Sequence, residues 1–524
     1  MTASLSVAVP RAAAPKGLEV RPKQVKAWIE GLPLANALEA SKQLRDHLLA
    51  VNAAKIETDD RLEILQSYRA VAQTLFEELE AVYAKTVGPL SPRARDALGL
   101  TRELAAALAD GHKVVIAEKT GKLIAFGAKK QLPVLLLRAM EYANVALRAS
   151  YKSYTPAPEG LWRALHELYL YADAEGLALE LADPETKASV HELYTETLLI
   201  ALTDPYRLSP GEIERIAAQL RAVKAPVPLS QSKPATNANA HFLVPCDTDK
   251  PPKPALSAND DRGGANWRLL DANGVVDKLR TRQKAFESGN VSAVAAKAMG
   301  ADGAAFLGRL VKLWGDPPKR INRRDAMDTS VAICIGLKAV SHYVSLEHRD
   351  EPAEADLIRR GITIPLISVP RDEASKEFPV NVWEVVNQSS GGLKVRRDGP
   401  AQQPVAVGEV VGVKLVGRAR WTIGVARWIT VLESGGLEFG IQFLANGARS
   451  VSIQPTIAAL SAQAKLALLL SEGDVAAEAL LTTPNTFSDL REFEVDAEGE
   501  VSCVRATNLL EKTGRFELFE FSAS

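Results

Sequence analysis

The 524-residue sequence has little cysteine, and its three thiols, Cys246, Cys334 and Cys503, lie far apart. No CxxC or Cys/His metal spacing accompanies them. That excludes a disulfide framework and a thiolate metal site, and it fits a reducing compartment. An excess of either charge is also missing. Sixty-three basic residues face 64 acidic ones, a net charge of −1. No general surface for nucleic acid is therefore implied, and any nucleotide site must be local. No run of about twenty apolar residues occurs, so no membrane span is expected. The first residues, to about Lys16, lack the basic start and apolar core of a signal peptide, and the expected location is cytoplasmic. There is no P-loop, no GxSxG and no HExxH. No enzyme is expected, and with it no catalytic residue, resident cofactor or metal. The remaining composition, 47% hydrophobic and 24% charged, is that of a globular chain. The length points to about three domains.

Taken in order, residues 1–20 read as a disordered tail and 21–225 as a helical domain. Leu62, Leu65, Tyr68, Ala72, Leu75, Leu79 and Val82 step by three and four, which makes one stripe of an amphipathic helix. Asp183-Pro184 and Ser209-Pro210-Gly211-Glu212 read as helix starts, the second as a capping box. The expectation is an all-helical bundle or solenoid, with no convincing fixed repeat. His47, His112, His166 and His191 each sit singly in ordinary helical sequence and read as surface or core residues. Residues 226–265 are rich in proline and polar residues and read as a linker. Within it His241–Cys246 has the pattern of an edge strand. Residues 266–316 return to helix as a connector.

After Asp316-Pro317-Pro318 the period changes to two. Val331, Ile333, Ile335 and Leu337 share a face, as do Val411, Val413 and Leu415. Leu437, Phe439, Ile441 and Phe443 share another, with Glu438, Gly440 and Gln442 opposite. Short strands punctuated by Gly408, Gly435, Gly436 and Gly447 indicate a small barrel or sandwich. Residues 345–377 are charged and read as a long excursion between strands, with Asp350, Glu351, Glu354 and Asp356 as a solvated face. Past 450, Leu466–Leu470 and Val475–Leu481 are apolar runs that periodicity cannot assign. Val501–Ala506 and Phe516–Phe521 look like strands. The stretch 451–524 is expected to be a mixed, partly β extension.

Two motifs stand out in this half. Arg320-Ile321-Asn322-Arg323-Arg324 is RxxxR, and Asn387-Gln388-Ser389-Ser390-Gly391-Gly392 is [D/N]xSxxG followed by Leu393. Arginine offers a fixed fork for phosphate oxygens and for the O6/N7 edge of guanine, and its plane stacks on a base. Asn387 and Ser389 alternate by two, so an extended strand points both to one face. Gly392, without a Cβ, permits positive φ or a close approach to its backbone.

With the strand order around them, these motifs make residues 317–450 resemble a PilZ domain, the bacterial receptor module for cyclic di-GMP. The shared order is RxxxR before the first strand, [D/N]xSxxG-L at a strand junction, Val425-Ala426-Arg427-Trp428, and a closing strand over Leu437–Phe443. The resemblance implies an antiparallel β-barrel and a cyclic di-GMP site at Arg320, Arg324, Asn387, Ser389 and Gly392, with Arg323 able to replace Arg324. Lys319 stands where the family often has a further arginine, and it keeps the charge without the fork. Asn387 stands where Asp is more frequent, and its amide oxygen offers the guanine edge fewer acceptors than a carboxylate. The fold class is thus multidomain α and β. The expected function is a signalling effector or adaptor that couples cyclic di-GMP to an unidentified protein partner through the helical half. Because the RxxxR segment falls between the two halves, ligand binding there is expected to reorient them. A scaffolding protein whose PilZ-like barrel binds no nucleotide is the alternative.

Overall fold

The computed structural model describes residues 5–84, 88–120, 128–182, 188–231, 239–255, 266–300, 302–316, 325–347, 372–399, 403–415, 418, 420–456, 463–471 and 478–524. The chain divides into two units, one of Met1–Thr86 and Leu90–Lys319, the other of Val87–Pro89 and Arg320–Ser524.

The first unit is mainly helical. Its long helices are Ala37–Ala53, Thr58–Tyr83, Pro92–Thr120 and Ala128–Lys152. The stripe expected on Thr58–Tyr83 is present, because Leu65, Tyr68, Ala72, Leu75 and Leu79 are all buried. Arg61, on the same helix, is buried as well. Its guanidinium donates to the carbonyls of Val51 (2.9 Å) and Ala54 (2.7 Å) at the C-terminal end of helix Ala37–Ala53. Glu118 lies 3.5 Å away and balances the charge. Among the described residues, helix Val190–Ala201 begins with a capping box made by Ser189 and Glu192. Asp183-Pro184 lies outside the described residues. The Ser209–Glu212 box is only half formed. The Ser209 N–H donates to Glu212 (2.7 Å), but the N-cap is Gly211 at φ +86°, with no side-chain cap.

The histidines of this unit serve packing. The His112 Nδ1–H donates to the Leu108 carbonyl (2.8 Å). The His166 Nε2–H donates to the Lys250 carbonyl (2.9 Å), which leaves Nδ1 to accept from the Tyr194 hydroxyl (2.6 Å). Burial lowers both pKa values to about 4, which keeps both rings neutral at neutral pH.

Three expectations for this unit need correction. Residues 12–13 are not wholly loose, since Ala12–Ala13 pairs with Ala54–Lys55. The proline-rich stretch after 226 is more than a linker. Leu229–Ser230, His241–Pro245 and Lys253–Pro254 join Trp267–Asp271 in a four-stranded sheet. His241–Pro245 is an inner strand there, paired on both sides. Phe242, Val244 and Cys246 enter the helical core. Apolar alternation outweighs the surrounding prolines at this point. Helices Asn273–Glu287 and Gly303–Gly315 follow as expected.

The second unit contains two closed antiparallel barrels. The first consists of β1 (Asp325–Ile335), β2 (Asn381–Ser389), β3 (Gly392–Arg397), β4 (Val410–Lys414), β5 (Thr422–Val431) and β6 (Leu437–Ala445). The second consists of β7 (Gly447–Pro455), β8 (Lys465–Ser471), β9 (Ala479–Thr482), β10 (Glu492–Ala497), β11 (Glu500–Lys512) and β12 (Glu517–Ala523). The first is ordered β1-β2-β3-β6-β5-β4 and the second β7-β8-β9-β12-β11-β10. These are the same topology, so the extension expected over 451–524 is a second barrel of the same connectivity. Of the apolar runs left unassigned there, Leu466–Leu470 lies in β8, and the described end of the other, 479–481, lies in β9.

Residues 337–347 are helical and leave β1 at Gly336, which has φ +97°. This shortens the strand pattern, since Leu337 lies in the helix. One core cluster unites Val340, Tyr343 and Val344 of this helix with Trp421 and Val425 of the first barrel and Leu468, Leu481 and Phe516 of the second. Strand β4 is consequently buried along its whole length, with no polar face. Cys334 is buried in that seam, which pushes its thiol up to about 12 and makes it a packing residue. The acidic residues 350–356 lie outside the described residues.

Candidate ligand site on the first barrel

The second motif forms the turn between β2 and β3. Ser389 pairs with Gly392, and Asn387 pairs with Lys394. Register carries both rows across the outer face. Ser389 and Gly392 continue to Gln442 on β6 and Val425 on β5. Asn387 and Lys394 continue to Gly440 on β6 and Trp428 on β5. Side chains of Asn387, Ser389, Lys394, Gln442 and Trp428 therefore share one side of the sheet, as the period of two requires. A bulge between Val385 and Asn387 sets that phase, since Val385 points into the barrel.

Asn387 is half-buried, and among the described residues its amide has no hydrogen-bond partner. The Ser389 hydroxyl makes a long bond to the Gly392 carbonyl (3.4 Å). The Lys394 ammonium lies 2.7 Å from Glu438 and 5.8 Å from the Trp428 ring centre. Trp428 lies flat over Gly440, where an added Cβ would fall 2.0 Å from the indole nitrogen. A polar edge, a cation and an aromatic surface thus lie side by side. That set can hydrogen-bond a base edge, attract a phosphate and face a purine ring.

Of the two conformational reasons for a glycine at 392, positive φ is not the one used. An added Cβ would sit 2.1 Å from the Ile441 carbonyl oxygen, so the close neighbour is the backbone of β6. Gly392 is needed to let β3 and β6 approach at the end of their ladder.

Arg320, Arg323 and Arg324 lie outside the described residues. What is described is the residue that follows them. Asp325 opens β1 opposite Gln388, and Ala326 pairs with Asn387. Asp325, the residue that follows the first motif in sequence, thus lies at the same end of the β1–β2 ladder as the second motif.

Sequence reasoning did not assign Lys394, Gln442 or Trp428 to the site. Their signal was the alternation on β3 and β6, which marks outward positions. The strand neighbours that bring those positions together are long-range and cannot be read from a single sequence. No helix among the described residues is long and apolar enough to cross a membrane.

Comparison with known proteins agrees with this architecture. Residues 23–235 match the family model described as the N-terminal domain of the cyclic-di-GMP receptor FimW. Residues 241–351 and 367–450 match the model of the middle PilZ domain of that receptor. The helical half therefore has a recognised family, and the PilZ match starts well before residue 317. Over 568 aligned positions, 97% of this chain and 91% of the relative, the chain is 25% identical to the cyclic-di-GMP receptor FimW of Pseudomonas aeruginosa. No solved structure shows significant similarity to the chain. With the barrel, the turn motif and these matches in agreement, the first-barrel region of this chain belongs to the PilZ domain family.

Proposed function

We propose that this chain is a cyclic di-GMP-binding effector rather than an enzyme, with the ligand held on the outer face of the first barrel. The observation that carries the reading is that Asp325, the residue directly after the first motif, faces Gln388 of the second. Arg320 and Arg324 are assigned to the phosphates and to base stacking, with Arg323 as a substitute for Arg324. Asn387 and Ser389 are assigned to a guanine edge, and Gly392 shapes the turn that presents them. The relative that covers nearly the whole chain is named a receptor for this ligand. The second barrel has no [D/N]xSxxG motif at its corresponding junction, between Ser471 and Ala479, so one ligand site per chain is assigned. The helical unit is assigned the protein-partner surface, and the proposed location is cytoplasmic.

Isothermal titration of the full chain with cyclic di-GMP, beside GTP and GMP, tests this reading. Saturable heat with cyclic di-GMP alone supports it. Absence of heat at micromolar protein and ligand would leave the scaffolding role instead.

A further inference from the structure

The outer face of the first barrel carries a guanidinium that neither motif includes. Arg427 occupies the bulge of β5, between the pairs Ala426–Ile441 and Trp428–Gly440. Bulges re-aim a side chain, and this one turns the fork toward the second barrel. The Arg427 Nε–H donates to Gln442 Oε1 (2.8 Å). Its Nη2–H donates to Glu511 Oε2 (2.7 Å), and Nη1 bonds the other oxygen of Glu511. Gln442 is the strand neighbour of Gly392, and Gly392 that of Ser389. Arg427 therefore stands one side chain from the corner assigned to the nucleotide, with its fork occupied by a carboxylate of β11.

A phosphodiester presents the same two-acceptor edge as a carboxylate, and an arginine fork fits both. The pair is about a quarter exposed on each side, at 25% and 26%. Solvent screens it, so it holds weakly enough for a ligand with two phosphates to compete. We propose that Glu511 is an internal competitor for the ligand, holding Arg427 in reserve. On this view cyclic di-GMP recruits Arg427 to a phosphate and frees β11 of the second barrel from β5 of the first. The inference rests on the receptor reading above and adds a residue and a regulatory step to it. Glu511 disfavours binding through its own contact with Arg427. By linkage, binding must weaken that contact between the barrels to the same degree.

The test is titration of the full chain with cyclic di-GMP as wild type, Glu511→Gln, Arg427→Gln and the double variant. Glu511→Gln is expected to tighten binding by roughly fivefold and Arg427→Gln to weaken it by roughly tenfold, the scale of a partly exposed ion pair and of one charged hydrogen-bond partner. The double variant should match Arg427→Gln, because Glu511 then has nothing to withhold. Both single variants break the same ion pair, so a purely structural role would shift both the same way. Opposite signs are the signature of competition, and a gain of affinity cannot come from misfolding. If wild type binds and the two variants match it or shift together, the inference is overturned while the receptor reading stands. If none of the four binds, the receptor reading fails and takes the inference with it.

Discussion

Asp325 stands directly opposite Gln388 on the first rung of the β1–β2 ladder. Asp325 directly follows the RxxxR motif in sequence, and Gln388 stands between Asn387 and Ser389 in the second motif. That relationship gives the arginines their assigned role. Arg320→Ala and Arg324→Ala should each weaken cyclic di-GMP binding by roughly 1.5–3 kcal/mol, the range for hydrogen bonds to charged groups. Calorimetric dissociation constants check this, with unchanged melting temperatures as the control for folding.

Ser389 and Gly392 should separate binding from folding. Ser389→Ala removes one hydroxyl at the surface and should cost binding on the order of 1 kcal/mol with little change in stability. Gly392→Ala drives a methyl into the Ile441 carbonyl. It should destabilise the barrel by about 1–3 kcal/mol, the usual effect of overpacking. Thermal melts of the two variants, run beside ligand titrations, will show whether the effects divide in this way.

Arg61 should be among the most sensitive positions of the helical unit. Substitution by Ala withdraws the donors from the Val51 and Ala54 carbonyls and leaves Glu118 without its cation. Breaking a buried charged contact of this kind costs about 3–5 kcal/mol. Urea unfolding followed by far-ultraviolet circular dichroism reads it out. Arg61→Ala with an unshifted midpoint would remove Arg61 from the account of this core.

The pH dependence of the helical unit follows from His112 and His166, each lowered by burial from 6.5 to about 4. Above pH 6.5 both rings are neutral in the folded and unfolded chain, and stability is unaffected by them. Between 6.5 and 4 the unfolded chain binds protons that the folded one refuses, so stability falls as the pH falls. The full loss is on the order of 3 kcal/mol per histidine, and it levels off below pH 4. Urea midpoints at pH 7 and pH 5 should drop accordingly. His166→Gln should flatten part of that slope.

The sequence made the strand-rich half legible where one face was wet. Leu437, Phe439 and Ile441 are buried while Glu438 and Gln442 point outward, and the alternation was plain. It failed where both faces are covered. Leu466–Leu470 and the run ending at Leu481 form strands packed between the barrel interior and the seam, so neither period could show. The same covering hid the repetition of the barrel topology. The helical core was visible in the Thr58–Tyr83 stripe, but not in Arg61, whose burial depends on carbonyls from another helix. The motif residues Asn387, Ser389 and Gly392 were legible as a strand turn. Their neighbours Lys394, Gln442 and Trp428 join the candidate site only through pairing with distant strands. Gly392 was singled out for its lack of a Cβ, and the neighbour that the fold brings against it is the Ile441 carbonyl of β6, which the sequence did not show.

The most direct test of the central claim is one titration of cyclic di-GMP into the full chain and into the Arg324→Ala/Asn387→Ala variant. The account predicts saturable binding with a dissociation constant on the order of micromolar or tighter for the wild type, and its loss in a variant that still melts cooperatively. Wild-type binding that survives both substitutions, or no binding by the wild type, contradicts it.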